Sequence, residues 1–140
     1  MTPSIETRLR VRYAETDQMG VVYYANHYIW MEVARVELCK ARGFNYRDME
    51  QQDGILMAVA ESSCRYRSPA RFDDEIVVKS WIEDANARTV TIHYEMRLAN
   101  DDRAIATGHT RHVFVNREMH RTRLPRKYFE MFGISAPKPD

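Results

Sequence analysis

Cysteine is scarce in this chain, with Cys39 and Cys64 the only two among 140 residues. That excludes the disulfide framework of small secreted scaffolds and leaves free, buried thiols as the expectation. No apolar run approaches the roughly 20 residues needed to cross a bilayer. The first residues, Met1 to Glu6, show no basic stretch followed by an apolar one. A cytosolic, cytoplasmic location without membrane insertion is therefore expected. Charge of one sign is also lacking: the net charge of +1 argues against broad nucleic-acid binding, while leaving room for a local basic pocket. The histidines, His27, His93, His109, His112 and His120, include no His-Glu-x-x-His pair and no cysteine–histidine set at metal-ligand spacing. No metal is expected. A Gly-x-Ser-x-Gly elbow and a Gly-rich phosphate loop are missing as well, which removes the serine-hydrolase and nucleotide-binding readings and gives no reason to expect a cofactor.

What the chain does have is ordinary globular composition, 44% hydrophobic and 29% charged. The length suits one domain, read as residues 1–134, followed by a flexible C-terminal tail at 135–140 with Ala136-Pro137-Lys138-Pro139-Asp140. Apolar and basic residues alternate over 7–13, which predicts a strand with Leu9, Val11 and Tyr13 on one face. Residues 14–20 are polar, contain Asp17 and Gly20, and read as a loop. Over about 26–42 the period becomes helical, with Trp30, Val33, Ala34, Leu38 and Ala41 along one stripe. Asn26 can cap that helix, and Gly43 can end it. Four further strands are predicted at 55–67, 75–83, 89–98 and 103–115, each separated from the next by turn residues, and a short helix at 126–132. The order predicts an α+β domain whose antiparallel sheet buries one helix.

The segment 12–26 carries the most information: Arg12-Tyr13-Ala14-Glu15-Thr16-Asp17-Gln18-Met19-Gly20-Val21-Val22-Tyr23-Tyr24-Ala25-Asn26. It resembles the signature of the hotdog-fold 4-hydroxybenzoyl-CoA thioesterase family and its short-chain acyl-CoA thioesterase relatives. The resemblance extends through Met31-Glu32-Val33-Ala34-Arg35 and Ser68-Pro69-Ala70-Arg71-Phe72-Asp73-Asp74, and so covers nearly the whole chain. It implies a hotdog fold, a five-stranded antiparallel sheet wrapped around one long helix. It also implies a homodimer or homotetramer that binds acyl-CoA where protomers meet. Many bacterial relatives carry His at the position of Tyr24, so this chain lacks that side chain.

Thioester hydrolysis needs an attacking group, or a base that activates water, and donors for the developing oxyanion. The resemblance places the nucleophile or base at Asp17 and the oxyanion donor at the Tyr24 backbone amide. Read locally, Asp17 is better explained as a turn-forming or capping residue, and it is the surrounding motif that turns the reading toward chemistry. Glu15 is expected to be structural, turned away if the segment stays extended. Glu61 is read as a polar residue on a half-exposed strand. Arg88, Arg65, Arg67 and Arg71 are candidates for the coenzyme A phosphates, with Arg88 preferred because family relatives place basic contacts in that turn. Two other functions stay open. A hotdog dehydratase or hydratase would need a histidine-bearing pocket, and a noncatalytic acyl-CoA binding module would show no turnover.

Overall fold

The unbroken alternation after Thr89 becomes a central strand, β4 (Thr89–Leu98), which buries Val90, Ile92, Tyr94, Met96 and Leu98 on one face. The computed structural model describes residues 3–135. β3 (Glu75–Ala85) and β5 (Ala104–Val115) flank β4, while β1 (Ile5–Arg10) and β2 (Leu56–Tyr66) form the edges. All pairings are antiparallel, in the order β1-β3-β4-β5-β2. The turn from β3 to β4 is closed by Asn86, whose side chain accepts from the Arg88 and Thr89 amides at 2.8 and 2.9 Å. The four strands predicted after residue 54 all form, with ends within two residues of expectation.

Helix α1 (Asn26–Ala41) lies on the buried face of this sheet and turns His27, Trp30, Met31, Ala34, Leu38 and Cys39 inward. Gly108 of β5 is where Met31 comes down on the sheet; a Cβ there would collide with the Met31 methyl group and the Ser63 carbonyl. Three details of the expected helix need correcting. Val33 is 42% exposed, because it lies about 100° around the helix from Ala34. Ala41 is exposed in the last turn. Asn26 does not cap: it is the first helical residue, and its side-chain amide donates to the Glu15 carbonyl at 2.8 Å.

One further helix departs from expectation, while the short one expected at 126–132 forms. α2 (Tyr46–Asp53) follows α1, and α3 (Phe129–Phe132) follows a 3-10 turn at Arg126–Tyr128. α2 buries only Met49, so it has no apolar stripe to announce it. Its ends are nevertheless marked: the Asn45 side chain accepts from the Arg47 amide at 2.9 Å, and Gly54 takes φ 65° at the far end. β1 stops at Arg10, and Tyr13, expected on its inner face, is 75% exposed in a 3-10 turn. Cys39 is buried and Cys64 half-buried, both as free thiols. Of the expected tail, residues 136–140 lie outside the described residues. Among the described residues no helix is long and apolar enough to cross a membrane.

One polar chain runs through the interior. Arg35 of α1 donates to the Tyr94 hydroxyl at 3.2 Å, Tyr94 and Thr110 share a hydrogen bond of 2.7 Å, and His112 Nε2 meets the Thr110 hydroxyl at 2.9 Å. Burial, and after it the Arg35 charge, pushes His112 down to about 4. In the unfolded chain the imidazole titrates near about 6.5, so between these values the unfolded state takes up a proton that the folded state refuses. His112 therefore contributes stability above pH ~6.5 that is lost as pH falls toward ~4, on the order of 3 kcal/mol. Denaturant midpoints measured across that range should fall with pH, and His112→Gln should flatten the slope.

Candidate active site

Beyond β1 the chain tightens into a 3-10 turn, Tyr13–Glu15, that folds the Glu15 side chain inward. Its carboxylate, 4% exposed, accepts from the Arg12 amide at 2.8 Å and from Trp30 Nε1 at 2.9 Å. The Glu15 carbonyl accepts from the Tyr23 amide at 2.9 Å and from the Asn26 side chain at 2.8 Å. Glu15 thus ties the loop to the helix from both of its polar ends. The expected structural role agrees with these contacts, but the expected reason does not: the segment is a tight turn, and the side chain points into the core.

Two residues on, Asp17 builds its own turn. Its Oδ1 accepts from the Met19 amide at 2.8 Å, its carbonyl accepts from the Gly20 amide at 2.9 Å, and its amide donates to the Val21 carbonyl at 2.9 Å. Gly20 sits at φ 78°, where a side chain would be strained. Asp17 is half-buried, and among the described residues its Oδ2 accepts no hydrogen bond. The turn-forming and the chemical readings of Asp17 are therefore compatible, one oxygen serving each.

The chain then pairs with the segment before β3, the Val22 amide donating to the Ala70 carbonyl at 2.8 Å, and enters α1. At the helix start the Asn26, His27 and Tyr28 amides bend back to the carbonyls of Tyr23, Tyr24 and Ala25 at 2.9, 3.4 and 3.2 Å. The Tyr24 and Ala25 amides have no partner among the described residues. The Tyr24 carbonyl also accepts from the Tyr66 hydroxyl at 3.0 Å and from His27 Nδ1 at 2.9 Å. A carbonyl can only accept, so Nδ1 carries the hydrogen. Burial lowers the His27 pKa, with the Tyr24 carbonyl opposing that shift.

These pieces enclose a cleft of about 370 Å³ whose walls include Asp17, Val22, Tyr24, His27, Tyr66 and Arg67. Asp17 and Tyr24, the two residues that sequence reading paired, share it. Arg88 does not: Thr89 beside it pairs with Val113 of β5, whereas Tyr66 pairs with Ala106. Those β5 positions are about 23 Å apart at the rise of a strand. Of the four candidate arginines only Arg67 lines the cleft, and Arg65 and Arg71 are exposed outside it. Glu61 pairs with His109 at 2.9 Å on the surface, and that imidazole holds its carboxyl below the usual range. His27 and Tyr66 were missed. A histidine at the second residue of a helix and an aromatic at the end of a strand carry no motif, and only the fold brings them together.

The comparison that decides the family is the match of residues 11–131 to the Thioesterase-like superfamily. The chain belongs to the thioesterase-like superfamily. This thioesterase-like chain is 41% identical over 121 residues to YneP of Bacillus subtilis (strain 168), provisionally named an acyl-CoA thioesterase, with 86% of each protein covered. Its structure matches DHNA-CoA thioesterase from Staphylococcus aureus at a TM-score of 0.88 and 30% identity, over 93% of this chain and 89% of that one. A 4-hydroxybenzoyl-CoA thioesterase complexed with 4-hydroxybenzoyl-CoA superposes at a TM-score of 0.83 and 16% identity, covering 91% and 97%. That last likeness is one of fold, the hotdog, in which α1 of the thioesterase-like chain is the enclosed helix.

Proposed function

We propose that this chain hydrolyses acyl-CoA thioesters to a free carboxylic acid and coenzyme A, with Asp17 as nucleophile or general base and the Tyr24 amide as oxyanion donor. The observation that carries the reading is the pairing, in one cleft, of a carboxylate oxygen and a helix-start amide that both lack a partner among the described residues. The names of the relatives support it. Acting as nucleophile, Asp17 adds to the thioester carbonyl and expels coenzyme A thiolate, leaving a mixed anhydride that water cleaves to restore the carboxylate. Acting as base, it takes a proton from water as that water attacks. In either route negative charge develops on the carbonyl oxygen, where a fixed N–H stabilises it. Acyl-CoAs of varied chain length and aromaticity, assayed with a thiol reagent, test the proposal; no release above buffer across the panel would overturn it.

A second reading has one observation behind it. His27 lines the cleft beside Asp17, so the histidine-bearing pocket that a hotdog dehydratase needs is present after all. The Nδ1–H bond to the Tyr24 carbonyl fixes the tautomer in which Nε2 is the nitrogen that can take a proton. Hydration of an enoyl-CoA without release of thiol would favour this alternative.

The cleft is proposed to be completed by a second copy. β2 is an 11-residue strand that, among the described residues, pairs only with β5, and Val59 within it is 56% exposed, an open edge of the kind that proteins cover. Arg88 would then serve the cleft of a neighbouring copy, and Arg67 the cleft of its own. Light scattering should give at least two copies per particle. Arg67→Ala and Arg88→Ala should each raise KM for acyl-CoA severalfold with little change in kcat, since a distant phosphate contact binds ground and transition states alike. A truncated pantetheine thioester should be insensitive to both substitutions. Equal sensitivity of the two substrates would remove that arginine from the phosphate site.

A further inference from the structure

We propose that Tyr66 and His27 are positioning residues, which clamp the Tyr24 carbonyl and thereby hold the amide of the same residue in line with the oxyanion. The inference rests on the hydrolysis proposed above. The Tyr24 N–H lies in the peptide plane that precedes its Cα, so its direction is set when that rigid plane is anchored at both ends, at the Tyr23 carbonyl and, through the next plane, at the Tyr24 Cα. At Tyr24 the preceding plane is held by the Asn26 amide on the Tyr23 carbonyl at 2.9 Å. The following plane is held at the Tyr24 carbonyl, by the Tyr66 hydroxyl at 3.0 Å and by His27 Nδ1 at 2.9 Å. The backbone contributes only the His27 amide at 3.4 Å, a long bond. Take away the two side-chain donors, and that marginal bond alone restrains the second plane.

The donors are themselves braced. The Tyr66 ring meets His27 edge-on, with centroids 4.8 Å apart and planes at 82°, and meets Tyr24 at 6.3 Å and 83°. His27 packs on Trp30 at 5.0 Å, and Trp30 is bonded to Glu15. The clamp therefore joins β2, the start of α1 and the Asp17 loop at one carbonyl. A hydroxyl on the edge strand is an expensive way to end a helix that three backbone amides already close. Its geometry is better explained by aim: a donor that must be ready before charge develops gains from being fixed in advance.

The test is Tyr66→Phe, which removes one oxygen, with His27→Phe as a second variant that keeps a ring. For Tyr66→Phe, kcat should fall about tenfold with KM, thermal midpoint and particle mass unchanged, because a loosened donor weakens the transition state and not the substrate complex. Two coenzyme A analogues supply a readout that a merely structural role would not move. A trifluoromethyl ketone analogue, which presents an oxyanion-like oxygen, should bind about tenfold more weakly to the variant, while a thioether analogue without a carbonyl binds as before. His27→Phe should shift the two analogues in the same pattern. The clamp is overturned if Tyr66→Phe keeps kcat within about twofold of the parent, or if both analogues weaken equally. The parent is assayed first: no thiol release by the parent sinks the hydrolysis and the clamp with it, whereas parent turnover equal to that of Tyr66→Phe sinks the clamp alone.

Discussion

Asp17→Asn should lower kcat for thioester cleavage by about 10³-fold, the loss of a nucleophile or base that acts in the transition state. That corresponds to about 4 kcal/mol of barrier. The structure shows why Asn is the informative replacement. The side-chain oxygen that accepts from the Met19 amide at 2.8 Å survives in Asn, so the turn that presents residue 17 to the cleft is kept. What disappears is the charge on the second oxygen, and an amide neither attacks a thioester nor deprotonates water. Thermal midpoint and affinity for the thioether analogue should stay close to those of the parent. Activity within about tenfold of the parent would remove Asp17 from the chemistry and leave it as a turn residue.

Glu15→Ala should be the most damaging single change to stability near the site, at about 3 kcal/mol. The buried Trp30 indole and the part-buried Arg12 amide both lose their acceptor. The Arg12 guanidinium at 3.5 Å adds little, because that arginine is mostly in solvent. Glu15→Gln keeps one acceptor oxygen and should cost less than half as much. Denaturant melts of the three proteins give the order directly; an Ala variant as stable as the parent would show that Glu15 is not the fastener described.

The sheet was legible in the sequence because its signal is local. β4 alternates without a break, and turn residues such as Asn86 bracket it, so its limits could be read from the chain alone. Helix α1 was legible for the same reason, yet its inward face was misjudged at Val33, since a stripe read by spacing is uncertain by one residue and the sheet decides which neighbour is covered. α2 was invisible to any test of apolar period: one buried methionine in eight residues makes no stripe, and only Asn45 and Gly54 marked its ends. At the site, the motif gave Asp17 and the helix start, because both lie within one continuous stretch. Glu15 was placed wrongly because an extended chain was assumed, although a buried Trp30 needs an acceptor for its N–H and Glu15 is the carboxylate that meets it. Tyr66 lies 42 residues from the carbonyl it binds, and no local pattern spans that gap.

The turn at residue 17 has one more consequence, and it concerns descent. Since the same side chain both shapes the loop and bears the charge, with a separate oxygen for each task, the two tasks part company when that second oxygen becomes an amide nitrogen. Aspartate and asparagine codons differ by one base. On the proposed mechanism, a lineage of this chain is a single substitution away from a protein with the same loop and the same cleft that retains its thioester instead of cleaving it. On that mechanism, a binding module with this loop descends from a hydrolase without passing through an unfolded ancestor.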